Sequence, residues 1–227
     1  INIKHSYVEV NGCTYVEIAA DIPEKKPINI HLQLLIDVSG SMNSNNRLQN
    51  VKRVLEGLAD NLAAIFENEP DKKVIIDLTT FQTYSKHEGQ VVFTKDDCPK
   101  KVIEFKALVS LLVATGGTKI VSGIEKVFQQ FTSSSSGPSQ ARSLCILTDG
   151  QTTDGDLYSK ELFHRGLENL QFHLYCVGMG SDYTKKTITD LVDKAEDQSV
   201  ANADFACIEQ NNEGKLKLVV DKIYDEN

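Results

Sequence analysis

Apolar residues along the chain fall into two patterns that take turns. Short, largely apolar runs occupy Ile28–Ile36 (almost continuously apolar from Leu32), Val74–Leu78, Leu144–Leu147 and Phe172–Val177, with a weaker one at Phe205–Ile208. Runs of that length predict strands buried on both faces of a parallel sheet. Between them the spacing changes. Leu48, Val51, Leu55, Leu58, Leu62 and Ile65 step by three and four, which marks one stripe of a long amphipathic helix. Ile120, Ile124, Val127 and Phe131 repeat the pattern, and Leu157–Leu167, Thr187–Ala195 and Leu216–Ile223 predict shorter helices. Val102–Leu112 also reads as helix, although its apolar positions are crowded, and Val91–Phe93 reads as a short extra strand pairing back after Glu88-Gly89.

Strands alternating with helices imply right-handed β-α-β crossovers. The expected class is α/β: a doubly wound, mostly parallel central sheet flanked by helices, with one short antiparallel edge strand. Ahead of this unit, Tyr7–Val10 and Cys13–Ala20 flank Asn11-Gly12. Both turn residues tolerate positive φ, so the segment predicts a hairpin with Val8, Val10, Cys13 and Tyr15 on one face. Pro23 and Pro27 then break the chain. Residues 1–27 are therefore read as an N-terminal hairpin extension and 28–227 as the domain. The Ser-rich stretch Ser133–Ser139 reads as an exposed loop inside it.

Composition narrows the possible partners. The chain has 227 residues, 41% of them hydrophobic, which is enough for one sizeable core. Its formal net charge of −8 argues against a broad footprint on nucleic acid or anionic membrane. No apolar run reaches the roughly 20 residues of a membrane span, so no membrane insertion is expected. The chain starts at Ile1 rather than Met, which leaves room for a longer or processed protein. The five cysteines form no Cys-x-x-Cys pair, and Cys145, Cys176 and Cys207 sit in apolar runs. Buried thiols are expected over a disulfide framework, which leans towards an intracellular setting.

Ligands in open parallel sheets gather beyond the carboxyl ends of strands. Two acids stand there: Asp37 after Leu34-Leu35-Ile36, and Asp149 after Cys145–Thr148. Alone, each could be a helix N-cap. Asp37-Val38-Ser39-Gly40-Ser41, however, sets one carboxylate and two hydroxyls on alternate residues, with Gly40 expected to let the backbone fold so that they converge. All are hard oxygen donors, a set suited to Mg²⁺, Mn²⁺ or Ca²⁺ rather than zinc.

Asp37-Val-Ser39-Gly-Ser41, then Gly116-Gly117-Thr118 before a helix, then Thr148-Asp149-Gly150 after a buried strand, resembles the von Willebrand factor A domain family. The resemblance covers roughly residues 30–225, with Thr80-Phe81 closing the second core strand. It implies a Rossmann-like fold and a metal-ion-dependent adhesion site. In such a site Ser39 and Ser41 would coordinate Mg²⁺ directly. Thr118 would bind directly or through water, and Asp37 and Asp149 mainly through water. One position would stay open for an Asp or Glu carboxylate of a partner protein. The resemblance also implies possible coupling to the last helix, Leu216–Ile223, and a place for related domains inside chelatase-type or ubiquitin-linked machines. The acidic run Glu196–Asp204 lacks the glycines expected from relatives, which puts the local geometry there in question.

Other polar features read as structural. Asp154 and Asp156 are expected to be solvated loop acids, and Asp77 a hydrogen-bonded acid at a strand end or edge. His5, His31, His87, His164 and His173 have no metal-ligand spacing and are assigned surface or packing roles. No phosphate-binding loop, Gly-x-Ser-x-Gly elbow or His-Glu-x-x-His occurs, so the reading is a non-enzymatic binding module. The alternative is a Mg²⁺-dependent phosphatase or hydrolase using the same pocket.

Overall fold

The structure is a computed structural model that describes residues 2–10, 13–21, 29–68, 70–133, 140–153, 172–180, 182–197 and 202–208. Strands β1 (Asn2–Val10) and β2 (Cys13–Asp21) pair antiparallel as a separate two-stranded sheet. Val8 faces Tyr15 and Val10 faces Cys13 across the ladder, the register that a two-residue Asn-Gly connection sets.

The main sheet has six strands: β3 (Asn29–Asp37), β4 (Val74–Phe81), β5 (Ser85–Phe93), β6 (Gln140–Thr148), β7 (His173–Met179) and β8 (Asn202–Ile208). Their spatial order is β5-β4-β3-β6-β7-β8, and all pairs are parallel except β4 with β5. The antiparallel edge strand is longer than the sequence pattern indicates. It spans nine residues, and its polar first half shows no apolar run because those side chains are largely exposed.

Four helices are described: α1 (Arg47–Asn68), α2 (Cys98–Ser110), α3 (Ile120–Ser133) and α4 (Lys185–Asp197). Successive side chains of a strand point to opposite faces, so each buried strand feeds two cores. Leu32, Leu34 and Ile36 pack with the Leu48–Leu62 stripe of α1 and with Phe105 and Val109 of α2. Leu35, Leu144 and Ile146 pack on the other face with Ile120, Ile124 and Phe131 of α3 and Ile188 and Leu191 of α4. The expected helices Leu157–Leu167 and Leu216–Ile223, and the loop after Ser133, lie outside the described residues, as do Asp154 and Asp156. Among the described residues no helix is long and apolar enough to cross a membrane. Cys98, Cys145 and Cys176 are free and buried, and burial pushes the Cys145 thiol up to about 12.

Asp77 departs from expectation. It lies inside β4, between β3 and β5, and is neither at a strand end nor on an edge strand. His31 from β3 meets its Oδ2 at 2.5 Å, His87 from β5 meets its Oδ1 at 2.9 Å, and the Gln90 amide donates to both oxygens. His31 is itself buried and stands edge-on to Phe131. Burial by itself would raise the Asp77 carboxyl, but the hydrogen bonds from His31, Gln90 and His87 together outweigh it and hold the group below 3.8. A depressed carboxylate stabilises the fold above its unfolded value and loses that contribution as pH falls towards the folded one. Unfolding midpoints in urea should therefore drop as pH is lowered below about 4, and less so in Asp77→Asn. Asp77→Ala, which strips three side chains of their acceptor, should cost about 3–5 kcal/mol at neutral pH.

Candidate metal centre

The chain runs from β3 outward to β4 and β5, then crosses back to place β6 on the other side of β3. The crevice beyond the carboxyl ends of β3 and β6 is thus the switch point of the sheet, where an open α/β fold leaves room for a ligand. Asp37 ends β3, and Asp149 directly follows β6.

Asp37 is fully buried. Its Oδ1 accepts the backbone N–H of Ser39 at 2.8 Å, and its Oδ2 accepts the Thr148 hydroxyl at 2.6 Å. Burial drives the Asp37 carboxyl up to about 6. The Ser39 and Thr148 hydrogen bonds oppose that rise, and nearby Asp149 adds to it. The Asp37–Ser39 bond curls the loop, so that Ser39 Oγ and Ser41 Oγ come within 3.0 Å of each other. A 3₁₀ turn over Gly40–Asn46 then leads into α1, with Asn45 and Asn46 in the left-handed region that Asn tolerates.

Gly40 has a different part from the one its position suggests. Its φ is not positive; what it permits is close approach, since a Cβ there would lie 3.3 Å from the Gly116 carbonyl oxygen that its own N–H bonds. The positive φ is found instead at Gly116, at +77, in the second loop, and at Gly150, at +74, in the third. Gly116 turns the second loop so that the Gly117 N–H reaches the Thr83 hydroxyl at 2.9 Å and buries Thr118. The Thr118 carbonyl accepts the Thr153 N–H at 2.9 Å, which ties the second loop to the third. Asp37, Ser39, Ser41, Thr118 and Asp149 therefore lie on three loops stitched directly to one another.

Sequence reasoning missed Arg47. Its guanidinium is buried in the site, where Nη1 donates to Asp149 Oδ2 at 2.6 Å and to the Ser41 carbonyl at 3.1 Å. Its Nη2 donates to Asp182 Oδ1 at 2.5 Å. The other Asp149 oxygen accepts the Gln151 N–H at 3.0 Å. Arg47 also holds the Asp182 carboxyl below its usual value. A signal was available: Arg47 opens α1, and a cation at a helix N-terminus opposes the helix dipole, so its placement needs a compensating partner. Among the described residues no three His, Cys, Asp or Glu side chains group as a cation site; the oxygens that converge here are the Ser39 and Ser41 hydroxyls.

A six-stranded sheet of this order with three polar loops at its switch point defines a Rossmann-like α/β domain. The chain belongs to the von Willebrand factor type A domain family, whose model matches residues 31–213. Domains of this family generally mediate protein–protein interactions. Compared by sequence, no curated protein matches. Among solved structures, BatB from Bacteroides thetaiotaomicron is similar at 15% identity and a TM-score of 0.60, over 87% of this chain and 98% of that one. The PilB minor pilin from Streptococcus sanguinis is similar at 15% identity and a TM-score of 0.65, over 96% of this chain and 66% of that one. The pilus adhesin SpaC from Lactobacillus rhamnosus GG gives 15% and 0.60, over 99% of this chain and 34% of that one. The chain thus spans under two thirds of the two pilus proteins, and at these identities the likeness shows the fold.

Arg47→Met would leave Asp149 buried without its cationic partner. A loss of about 3–5 kcal/mol is expected in urea or thermal unfolding. Asp182→Asn should cost under about 1 kcal/mol, because that carboxylate is 57% exposed and water replaces the pair.

Proposed function

We propose that this domain binds a partner protein through a divalent cation held at the switch point. Ser39 and Ser41 hydroxyls are the direct ligands, Thr118 lies at the second loop, and Asp37 and Asp149 act through water. What carries this reading is the Ser39 Oγ to Ser41 Oγ separation of 3.0 Å. Two neighbouring oxygens of an octahedral Mg²⁺, each at about 2.1 Å, stand about 3.0 Å apart. The same spacing fits the more crowded shell of a six- to eight-coordinate Ca²⁺, so the donors define a hard divalent cation, Mg²⁺, Mn²⁺ or Ca²⁺.

The charge arrangement supports the same reading. Both oxygens of Asp37 and both of Asp149 already accept hydrogen bonds from the protein. Neutral hydroxyls as ligands leave a cation strongly attractive to an Asp or Glu side chain presented by a partner. The phosphatase alternative fares worse. A phosphoryl-accepting Asp37 would have to face outward, yet it is buried with both oxygens engaged. No histidine occurs in residues 37–46, 114–119 or 148–153 to activate Ser39 or Ser41.

Mn²⁺ titration followed by electron paramagnetic resonance tests the site. The wild type should bind Mn²⁺ and release it to Mg²⁺, and the double variant Ser39→Ala, Ser41→Ala should not bind. Asp37→Asn should weaken binding about 10–100-fold through the outer shell. Equal affinity in all three proteins would refute the assignment. Partner capture should vanish in EDTA, and capture by Asp37→Ala equal to that of wild type would count against the mechanism.

A further inference from the structure

Four large apolar side chains are exposed among the described residues: Ile103 in α2, Leu111 and Val113 on the segment that leads into the Thr118 loop, and Tyr84 in the β4–β5 turn, which is hydrogen-bonded to that loop. Leu111 and Val113 are 75% and 69% exposed, while Leu112 and Ala114 between and after them are buried. The segment thus alternates, spending two side chains on the core and turning two apolar ones outward. Its place is fixed by the Asn43 amide, which donates to the Ala114 carbonyl at 3.0 Å, and by the Thr115 N–H, which donates to the Val38 carbonyl at 2.7 Å. Val113 therefore sits next to the loop of Ser39 and Ser41. Tyr84, 62% exposed, comes from the β4–β5 turn. The neighbouring Thr83 hydroxyl accepts the Gly117 N–H, and Gln82 accepts the Lys119 N–H, so Tyr84 flanks the same loop from a different segment.

Single exposed apolar residues need no explanation, but three on segments tied to one candidate site ask for one. The core does not require these three, since their side chains stay in water. Lys119, adjacent to Thr118 and exposed, adds a cation to the same rim. An apolar rim with positive charge, continuous with a site for a carboxylate, fits a ligand that is acidic at its centre and apolar beside it.

We infer that Leu111, Val113 and Tyr84 form a specificity rim for a partner segment in which the metal-seeking Asp or Glu is flanked by large apolar side chains. This rests on the metal-dependent reading above. Burial of such flanks against the rim should tighten binding about tenfold or more over polar flanks.

The test uses fluorescein-labelled dodecapeptides with central Leu-Asp-Leu, Ser-Asp-Ser or Leu-Asn-Leu, read by anisotropy in Mg²⁺ and in EDTA. Mn²⁺ affinity and sedimentation velocity are measured on the same proteins. The expected order is Leu-Asp-Leu well above Ser-Asp-Ser, with Leu-Asn-Leu and all EDTA samples weak. The double variant Leu111→Ser, Val113→Ser and the single variant Tyr84→Ser should erase the preference for apolar flanks and leave Mn²⁺ affinity and melting temperature unchanged. Equal binding of the two Asp peptides overturns the rim while the metal reading stands. Equal binding of Leu-Asp-Leu and Leu-Asn-Leu, unaffected by EDTA, overturns the metal reading itself. Binding of none of the peptides despite intact Mn²⁺ affinity overturns the rim, as does self-association that the rim variants abolish.

Discussion

The hydrogen bonds of the Asp37 carboxylate organise the upper edge of this sheet. One oxygen takes the N–H of Ser39 and fixes the curl of its own loop; the other takes the Thr148 hydroxyl and fixes the neighbouring strand. A carboxylate buried this deeply would ordinarily be costly, and its raised affinity for a proton registers that cost. The arrangement lies at the switch point, where β3 and β6 run side by side. The same two bonds that close the backbone of the crevice leave the Ser39 and Ser41 hydroxyls turned to each other.

Around that carboxylate the charges are arranged in sequence. Arg47 meets Asp149 in the interior and Asp182 towards the surface, so a single guanidinium ties the first loop, the third loop and the loop before α4. The planar fork of Arg is suited to this, because it offers several donors in fixed directions where an ammonium offers one centre. Its consequence for the site is electrostatic. Asp149 is balanced from within the protein, so under the proposed reading a cation at the hydroxyls would be only partly neutralised and would attract a carboxylate from outside.

A second polar centre sits within the sheet, on β3, β4 and β5. There Asp77 is shared between His31 and His87, with Gln90 completing the set. Its members come from three adjacent strands, so it acts as a cross-strand clasp within otherwise apolar layers. The clasp also bears on β5, the antiparallel edge, whose polar half has little apolar burial to hold it. The turn joining β4 to β5 carries Thr83 and Tyr84 to the Gly116–Thr118 loop, so the clasp and the proposed rim are linked through one strand pair.

Much of this was legible in the residue pattern. Apolar runs of strand length separated by helical stripes identify the layers; Asp37, Ser39, Ser41 and Asp149 stand out because small oxygen donors follow buried strands, and Thr118 because Gly116-Gly117 leads it into a helix. The length of β5 was not legible, since an exposed edge strand carries no apolar signature. Asp77 looked like an edge or strand-end acid because sequence gives no hint that two histidines, 46 and 10 residues away, would face it. Arg47 was missed for a similar reason: its partners lie 102 and 135 residues distant, and only folding brings them together. By itself, then, the sequence determined which segments form strands and helices and which side chains can offer oxygen to a cation, because those follow from local periodicity and chemistry. Only the tertiary structure decided which carboxylates are already engaged, which hydroxyls face each other and which apolar side chains stay exposed, because buried polar groups must find partners across the fold and those partners come from distant parts of the chain.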